Sequence, residues 1–336
     1  MIKGSGFGTK LTGPPLRYDN FENGVAGEIL PRTESPSQGW DWFGIDQVTF
    51  SGEKCRYPGT QSVKQTYITD KGPGIVLSNK RIPGIIPATK ELYVSGWFWF
   101  KMWDGLSLNV KFISMGTAGP EVPEGVTSWQ SRVGGFPSNS AHHATLYDAL
   151  SDDCTLLGTD GVHQYREESG MDFDDLQPQE AWHRVETFLR IGTQGYQDLY
   201  IDGVKIADVQ GAFTSDNCSI GYLLLGHYFR LTDGIGEPKA IRYWDEIYVD
   251  VTHARVEIGD ASNYNSSSHR EIQIPIKWND GSLEITLNQG SFQTLKDKYL
   301  FVIDADNNPS KGYLLNQLLL PTITKPSIVQ NFKIVQ

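Results

Sequence analysis

Three stretches of this sequence alternate apolar residues with residues that recognise sugars. In Trp97-Phe98-Trp99-Phe100-Lys101-Met102 a strand places Trp97, Trp99 and Lys101 on one face and Phe98, Phe100 and Met102 on the other. Arg184, Glu186 and Arg190 stand opposite Val185, Leu189 and Ile191 in the same way, and Asn109 and Lys111 alternate with Val110 and Phe112. Indole faces stack on the C–H surfaces of pyranose rings, while Arg, Lys and Asn bond hydroxyls or a uronate carboxylate. With these strands in one sheet, the eight residues Trp97, Trp99, Lys101, Asn109, Lys111, Arg184, Glu186 and Arg190 line a ligand groove. The alternative is a face covered by loops or by a second domain, its indoles serving as packing and Arg–Glu as a cross-strand pair.

Catalytic chemistry is less visible. A retaining glycosidase needs two carboxylates about 5–5.5 Å apart. The nearest pair, Asp245-Glu246, is adjacent on a strand and is expected on opposite faces. A polysaccharide lyase needs cations or amides against a uronate and a Tyr or His to take the proton beside it. His142-His143 with Tyr147 are the candidate bases, in a Ser/Asn-rich stretch that also reads as a solvated loop. No P-loop, GxGxxG or HExxH occurs, so nucleotide and zinc-protease chemistry have no support. Nine acidic residues and one Arg between Asp152 and Glu180 lack the spacing of an EF-hand loop and read as an acidic, solvated insertion.

The elements that hold these residues are short. The chain has 336 residues with 35 Gly and 17 Pro, 39% hydrophobic and 12% aromatic, which favours an all-β protein of about two domains. A net charge of -11 disfavours nucleic acid as a partner. No run of about 18 apolar residues predicts membrane insertion, and Met1-Ile2-Lys3-Gly4-Ser5-Gly6 lacks the apolar region of a secretion signal. Cys55, Cys154 and Cys218 have no zinc spacing, and whether Cys154 and Cys218 pair is left open. Residues 1–17 read as an extended arm without a core. Asp202-Gly203, between Tyr200-Ile201 and Val204-Lys205-Ile206, predicts a two-residue hairpin turn. Residues 254–336 hold 8 Lys/Arg and 8 Asp/Glu, so the whole net charge falls before them. The strand signatures there predict a small β-domain over 253–320. The tail 321–336 is strand-competent: it adds to a neighbour's sheet edge or folds back on its own domain.

Ala181-Trp182-His183-Arg184-Val185-Glu186, followed by Leu199-Tyr200-Ile201-Asp202-Gly203, resembles the concanavalin A-like lectin/glucanase superfamily, including its laminin G-like jelly rolls. Tyr18-Asp19-Asn20-Phe21-Glu22-Asn23-Gly24 and Trp244-Asp245-Glu246-Ile247-Tyr248-Val249-Asp250 resemble its first and last strands, which brackets the domain at 18–252. The resemblance implies a framework role for His183 and a structural calcium near Glu22 and Asp245, with no other cofactor required. The E-x-D-x-x-E arrangement of the superfamily's retaining glucanases is absent. Residues 253–320 are similar to Ig-like modules of the IPT/TIG kind. The fold expected is therefore all-β: a concanavalin A-like β-sandwich, or jelly roll, plus a small C-terminal Ig-like β-sandwich. The function expected is a non-enzymatic surface or virion-associated protein of the phage decoration, fibre or adhesin type, binding glycans or other virion and surface proteins. Homo-oligomers would form through the terminal arms, at a virion or extracellular surface. The alternatives are a polysaccharide lyase acting on an acidic polysaccharide and a secreted bacterial carbohydrate-binding protein.

Overall fold

A computed structural model describes residues 2–31, 40–43, 48–56, 58–68, 74–79, 84–102, 109–117, 129–138, 141–149, 168–172, 180–211, 218–226, 229–230, 240–315 and 331–332. Between 109 and 172, outside 113–116, the description is of backbone pairing. Among the described residues the structure is strand, turn and one short 3-10 turn at Tyr264–Ser266, and no helix is long and apolar enough to cross a membrane.

Two antiparallel sheets form the large unit. The back sheet runs β14 (Val204–Gly211), β13 (Gly195–Ile201), β12 (Trp182–Arg190), β7 (Glu91–Met102), β17 (Ala240–Asp250), β5 (Ser62–Tyr67), β4 (Val48–Ser51), with β2 (Arg17–Asp19) also on β17. The front sheet runs β11 (Glu168–Asp172), β10 (Ala141–Ala149), β9 (Trp129–Ser138), β8 (Asn109–Thr117), β15 (Tyr222–Leu225), β6 (Gly74–Ser78), β3 (Asp41–Phe43), with β16 (Phe229–Arg230) on β8. The core between them follows strand alternation: Leu92, Val94, Phe98 and Phe100 from β7, Val185 and Leu189 from β12, and Trp244 from β17 meet Ile113, Met115, Leu223, Leu225 and Ile75. The fold is thus a jelly-roll-like β-sandwich.

Alternation breaks at one informative place. The β7–β17 register shifts between Asp245 and Tyr248, and Glu246 takes φ +48°. This bulge adds a residue to β17, so Trp244 and Ile247 both reach the core. Gly96 lies opposite, where a Cβ would stand 2.6 Å from Ile247 Cδ1. The expectation that Asp245 and Glu246 diverge is corrected here: the Arg56 backbone N–H donates to Asp245 Oδ2 at 3.0 Å, and the Arg56 guanidinium pairs with Glu246.

The C-terminal unit has the order β1 (Ile2–Lys3), β20 (Ser282–Thr286), β19 (Arg270–Asn279), β18 (Arg255–Gly259), β21 (Tyr299–Ile303), β22 (Tyr313–Leu314), with β23 (Asn331–Phe332) also on β20. β19 pairs with β18 through Gln273 and with β20 from Ile274 onward. The unit has its own core, including Val256, Ile258, Trp278, Leu283, Leu300 and Ile2. The arm reading of residues 1–17 is therefore corrected. β1 pairs with β20, Ile2 enters the core, and Phe7 carbonyl oxygen accepts from Trp278 Nε1 at 3.1 Å. From the tail, Asn331 and Phe332 pair with Thr286 and Ile285 of β20.

Candidate functional site

The eight residues expected to share one groove are divided between the two sheets. Trp97, Trp99, Lys101, Arg184, Glu186 and Arg190 stand on β7 and β12 of the back sheet, with Arg184 directly opposite Trp97. Asn109 and Lys111 belong to β8 of the front sheet. The sequence could not reveal this because strand neighbours in a sandwich are set by crossovers, not by proximity along the chain.

The back-sheet residues do face away from the core, but the C-terminal unit lies on Arg184 and Glu186. Arg184 is 3% and Glu186 3% exposed. Arg184 Nη2 pairs with Glu186 Oε1 at 3.0 Å and with Glu257 Oε1 at 3.0 Å, and Nη1 donates to the Arg270 carbonyl at 3.1 Å. Arg255 Nε holds Glu257 at 2.6 Å, and Tyr93 OH donates to Glu186 at 2.7 Å. Burial pushes the Glu257 carboxyl up, but Arg184, Arg255 and Arg270 outweigh it and hold the group well below the usual carboxylate range. The Trp97 ring carries the Arg56 guanidinium 3.5 Å from its centroid. Trp99 is buried edge-on to Tyr243, with Lys54 Nζ 4.9 Å above its ring. Lys101 pairs with Glu180 at 2.5 Å, and Arg190 with Glu91 at 2.7 Å. The expected open groove is thus, over Trp97, Arg184 and Glu186, a seam between two parts of the same chain.

A second charge cluster continues the seam. Arg56 Nη2 pairs with Glu271 Oε1 at 2.6 Å, and His269 Nε2 meets the same carboxylate at 2.6 Å. Ser291 Oγ reaches that same His269 nitrogen at 3.1 Å, so no Ser–His–carboxylate relay passes through the ring. Nearby, His253 stacks on Phe188 with centroids 3.6 Å apart. Burial, reinforced by Arg255 and Arg190, lowers its imidazole to about 2, which keeps it neutral.

The carboxylates assigned to calcium are engaged by N–H groups. Glu22 accepts from the Thr60 and Gln61 backbone N–H groups at 2.7 and 3.0 Å, and Asp245 accepts from those of Arg56 and Glu246. Both sit close enough to Cys55 to help burial raise its thiol. Among the described residues no group of three or more His, Cys, Asp or Glu side chains is placed to hold a metal ion. His183 Nδ1 lies 2.7 Å from Asp202 Oδ2, fastening β12 to the hairpin turn. Asp202 and Gly203 have φ +50° and +77°, as the two-residue turn requires. Cys218 is disulfide-bonded and Cys55 is free, while Cys154 lies outside the described residues.

The front sheet assembles a different row. Ile113 and Met115 belong to the core, which fixes the inner face of β8. Ile113 pairs with Val133, and Val133 with Leu146, so these register positions are inner. On the other face Ser114, Arg132 and Tyr147 form one cross-strand row. A register shift between Lys111 and Ile113 brings Lys111 to this same face, in a row with Gly134 and Thr145. Asn109 follows two residues on, paired with Arg230, and His143 pairs with Asp172 further along β10. Ser114 is 1% exposed, and its hydroxyl has no partner among the described residues. Arg132 escaped the sequence reading; its signal was the alternation of Gln130, Arg132 and Gly134, legible only with β10 as the neighbour.

No family model and no curated protein matches the sequence. Solved structures resemble it at low identity. Alginate lyase Aly36B is 12% identical, with 72% of this chain and 98% of that chain covered and a TM-score of 0.46. For the marine PL-14 alginate lyase from Aplysia kurodai the values are 12%, 66%, 97% and 0.45, and for endo-beta-1,4-glucuronan lyase from the fungus Trichoderma reesei 15%, 66%, 95% and 0.44. The expectation of a non-enzymatic virion or surface scaffold is corrected. Residues 2–3 and 331–332 pair with β20 of their own chain, and the supposed interaction face over Trp97, Arg184 and Glu186 is covered by the C-terminal unit.

Proposed function

We propose that the protein is a polysaccharide lyase that cleaves an acidic polysaccharide by β-elimination on the outer face of the front sheet. The observation that carries this reading is the backbone register that sets Tyr147 directly opposite Arg132 and brings Lys111 onto the adjacent row. Cross-strand neighbours stand about 5 Å apart and successive same-face residues about 7 Å, so the three occupy a patch the size of one sugar ring. The residue types match the reaction. Arg132 and Lys111 neutralise the uronate carboxylate, which makes the adjacent C–H acidic, and Tyr147 takes that proton. The electron pair forms the C4–C5 double bond as the C4–O bond breaks, and Tyr147, which took the C5 proton as a phenolate held between the two cations, gives that proton to the departing glycosidic oxygen. His143, four residues from Tyr147 on the same face, is set to bind the neighbouring sugar. The C-terminal β-unit is read as an Ig-like accessory module, a reading supported by its short antiparallel strands around a separate core.

Incubation with glucuronan, alginate and heparin tests the reaction through the absorbance of the unsaturated uronate product. One of the three is expected to give steady product formation, and Tyr147→Phe to reduce it about 10²–10⁴-fold with the melting temperature unchanged. Absence of product from all three overturns the assignment.

A further inference from the structure

Where the ion-pair seam ends, the back sheet and the C-terminal unit part to leave a cleft of ≈ 350 Å³. Its walls include Trp97 and Trp182 from β7 and β12, Asp202 from the hairpin turn, Ser268 and His269 from just before β19, and Arg270 at its start. Both indoles are half-buried. Gly203 brings the turn against the C-terminal unit, since a Cβ there would lie 2.3 Å from Arg270 Nη2.

The geometry points to a binding site for an uncharged pyranose in this cleft, separate from the front-sheet face and independent of its chemistry. Three features define the ligand class. The volume suits a small ligand, and junctions between domains are frequent sites of such pockets. Trp182, and the part of Trp97 that the Arg56 guanidinium leaves uncovered, offer apolar surface for the C–H face of a sugar. The polar groups select against an acidic one. Arg184 lies on Glu186 and Glu257, and Arg270 Nε lies 3.2 Å from Glu257 Oε2, so each guanidinium at the cleft already stands beside a buried carboxylate. The Asp202 side chain is 43% exposed and repels a second carboxylate, yet it has acceptor capacity for hydroxyls beyond its bonds to Arg184 N and His183. Ser268 is exposed at the rim, and His269 is tied through Nε2 to Glu271.

Calorimetric titration of the full-length protein with cellotriose, mannotriose and xylotriose, against a glucuronate trimer, tests the site. At least one neutral trisaccharide is expected to bind saturably. Trp182→Ala should weaken that binding about 10-fold or more, and Ser268→Trp, which fills the cleft from an exposed position, should abolish it. Uronate-product formation on the front sheet is unaffected by either variant, so failure here is distinct from failure of the lyase reading. No binding of any neutral trisaccharide, neutral binding unchanged in both variants, or glucuronate binding lost in Ser268→Trp would each overturn the proposal.

Discussion

Arg184 shows how strongly a single buried charge depends on its partners. Its guanidinium is shared between Glu186 on its own strand and Glu257 on the C-terminal unit. Arg184→Met removes the cation that Glu186 and Glu257 share, leaving Glu257 to Arg255 and Arg270 and Glu186 to the Tyr93 hydroxyl, and is expected to cost about 3 kcal/mol in urea unfolding; a loss near zero would mean that the remaining partners compensate fully. The titrating residues act in opposite directions. Burial raises the Glu271 carboxyl, but Arg56 and His269 bring it down to about 2 from an ordinary value of 4.5. A lowered carboxylate contributes stability above its unfolded value, and that stability disappears as pH falls from about 4.5 towards 2. Asp198 is pushed up to about 6 from 3.8 by burial, against bonds from Phe188 N–H and Tyr196 OH. Its contribution is complete below 3.8 and is lost as pH rises through about 6. Urea midpoints measured against pH should therefore lose slope below 4.5 in Glu271→Gln and between 4 and 6 in Asp198→Asn.

At the scale of elements, the N-terminal segment is a strap across both units. β1 extends the β20 edge, Phe7 meets Trp278, and Lys10 pairs with Asp250 at the end of β17 while its ammonium lies 5.6 Å from the Trp278 ring. Deleting residues 1–10 removes these contacts and leaves Asp250 buried without its cation. The expected result is faster amide exchange along β20 and a lower melting temperature; unchanged exchange would show that β19 and β23 hold β20 unaided. The hairpin at Asp202-Gly203 and the inward set on β7 were legible from the sequence because turn chemistry and period-two alternation are local. The bulge at Glu246 was not, because an extra residue in β17 is defined only against β7.

For the molecule as a whole, the proposed lyase function gives the two sheets separate tasks. The back sheet carries the C-terminal unit through buried ion pairs, and the front sheet carries the row of Ser114, Arg132 and Tyr147. This division predicts a clean split between two arginine variants. Arg132→Ala is expected to lower uronate-product formation about 100-fold or more with little change in stability, and Arg184→Met to lower stability with turnover retained in the folded fraction. Equal effects on both measurements would mean that the two faces are coupled through the core.

The sequence by itself determined the all-β class, the hairpin and the outward position of Trp97, Arg184 and Glu186. Each follows from the strand repeat or from a turn of two residues. Only the tertiary structure decided that Asn109 and Lys111 lie on a different sheet from Arg184, and that a domain covers the indole face. Pairing between strands distant in the chain, and the docking of one unit on another, are set by packing over the whole molecule, which no local spacing encodes.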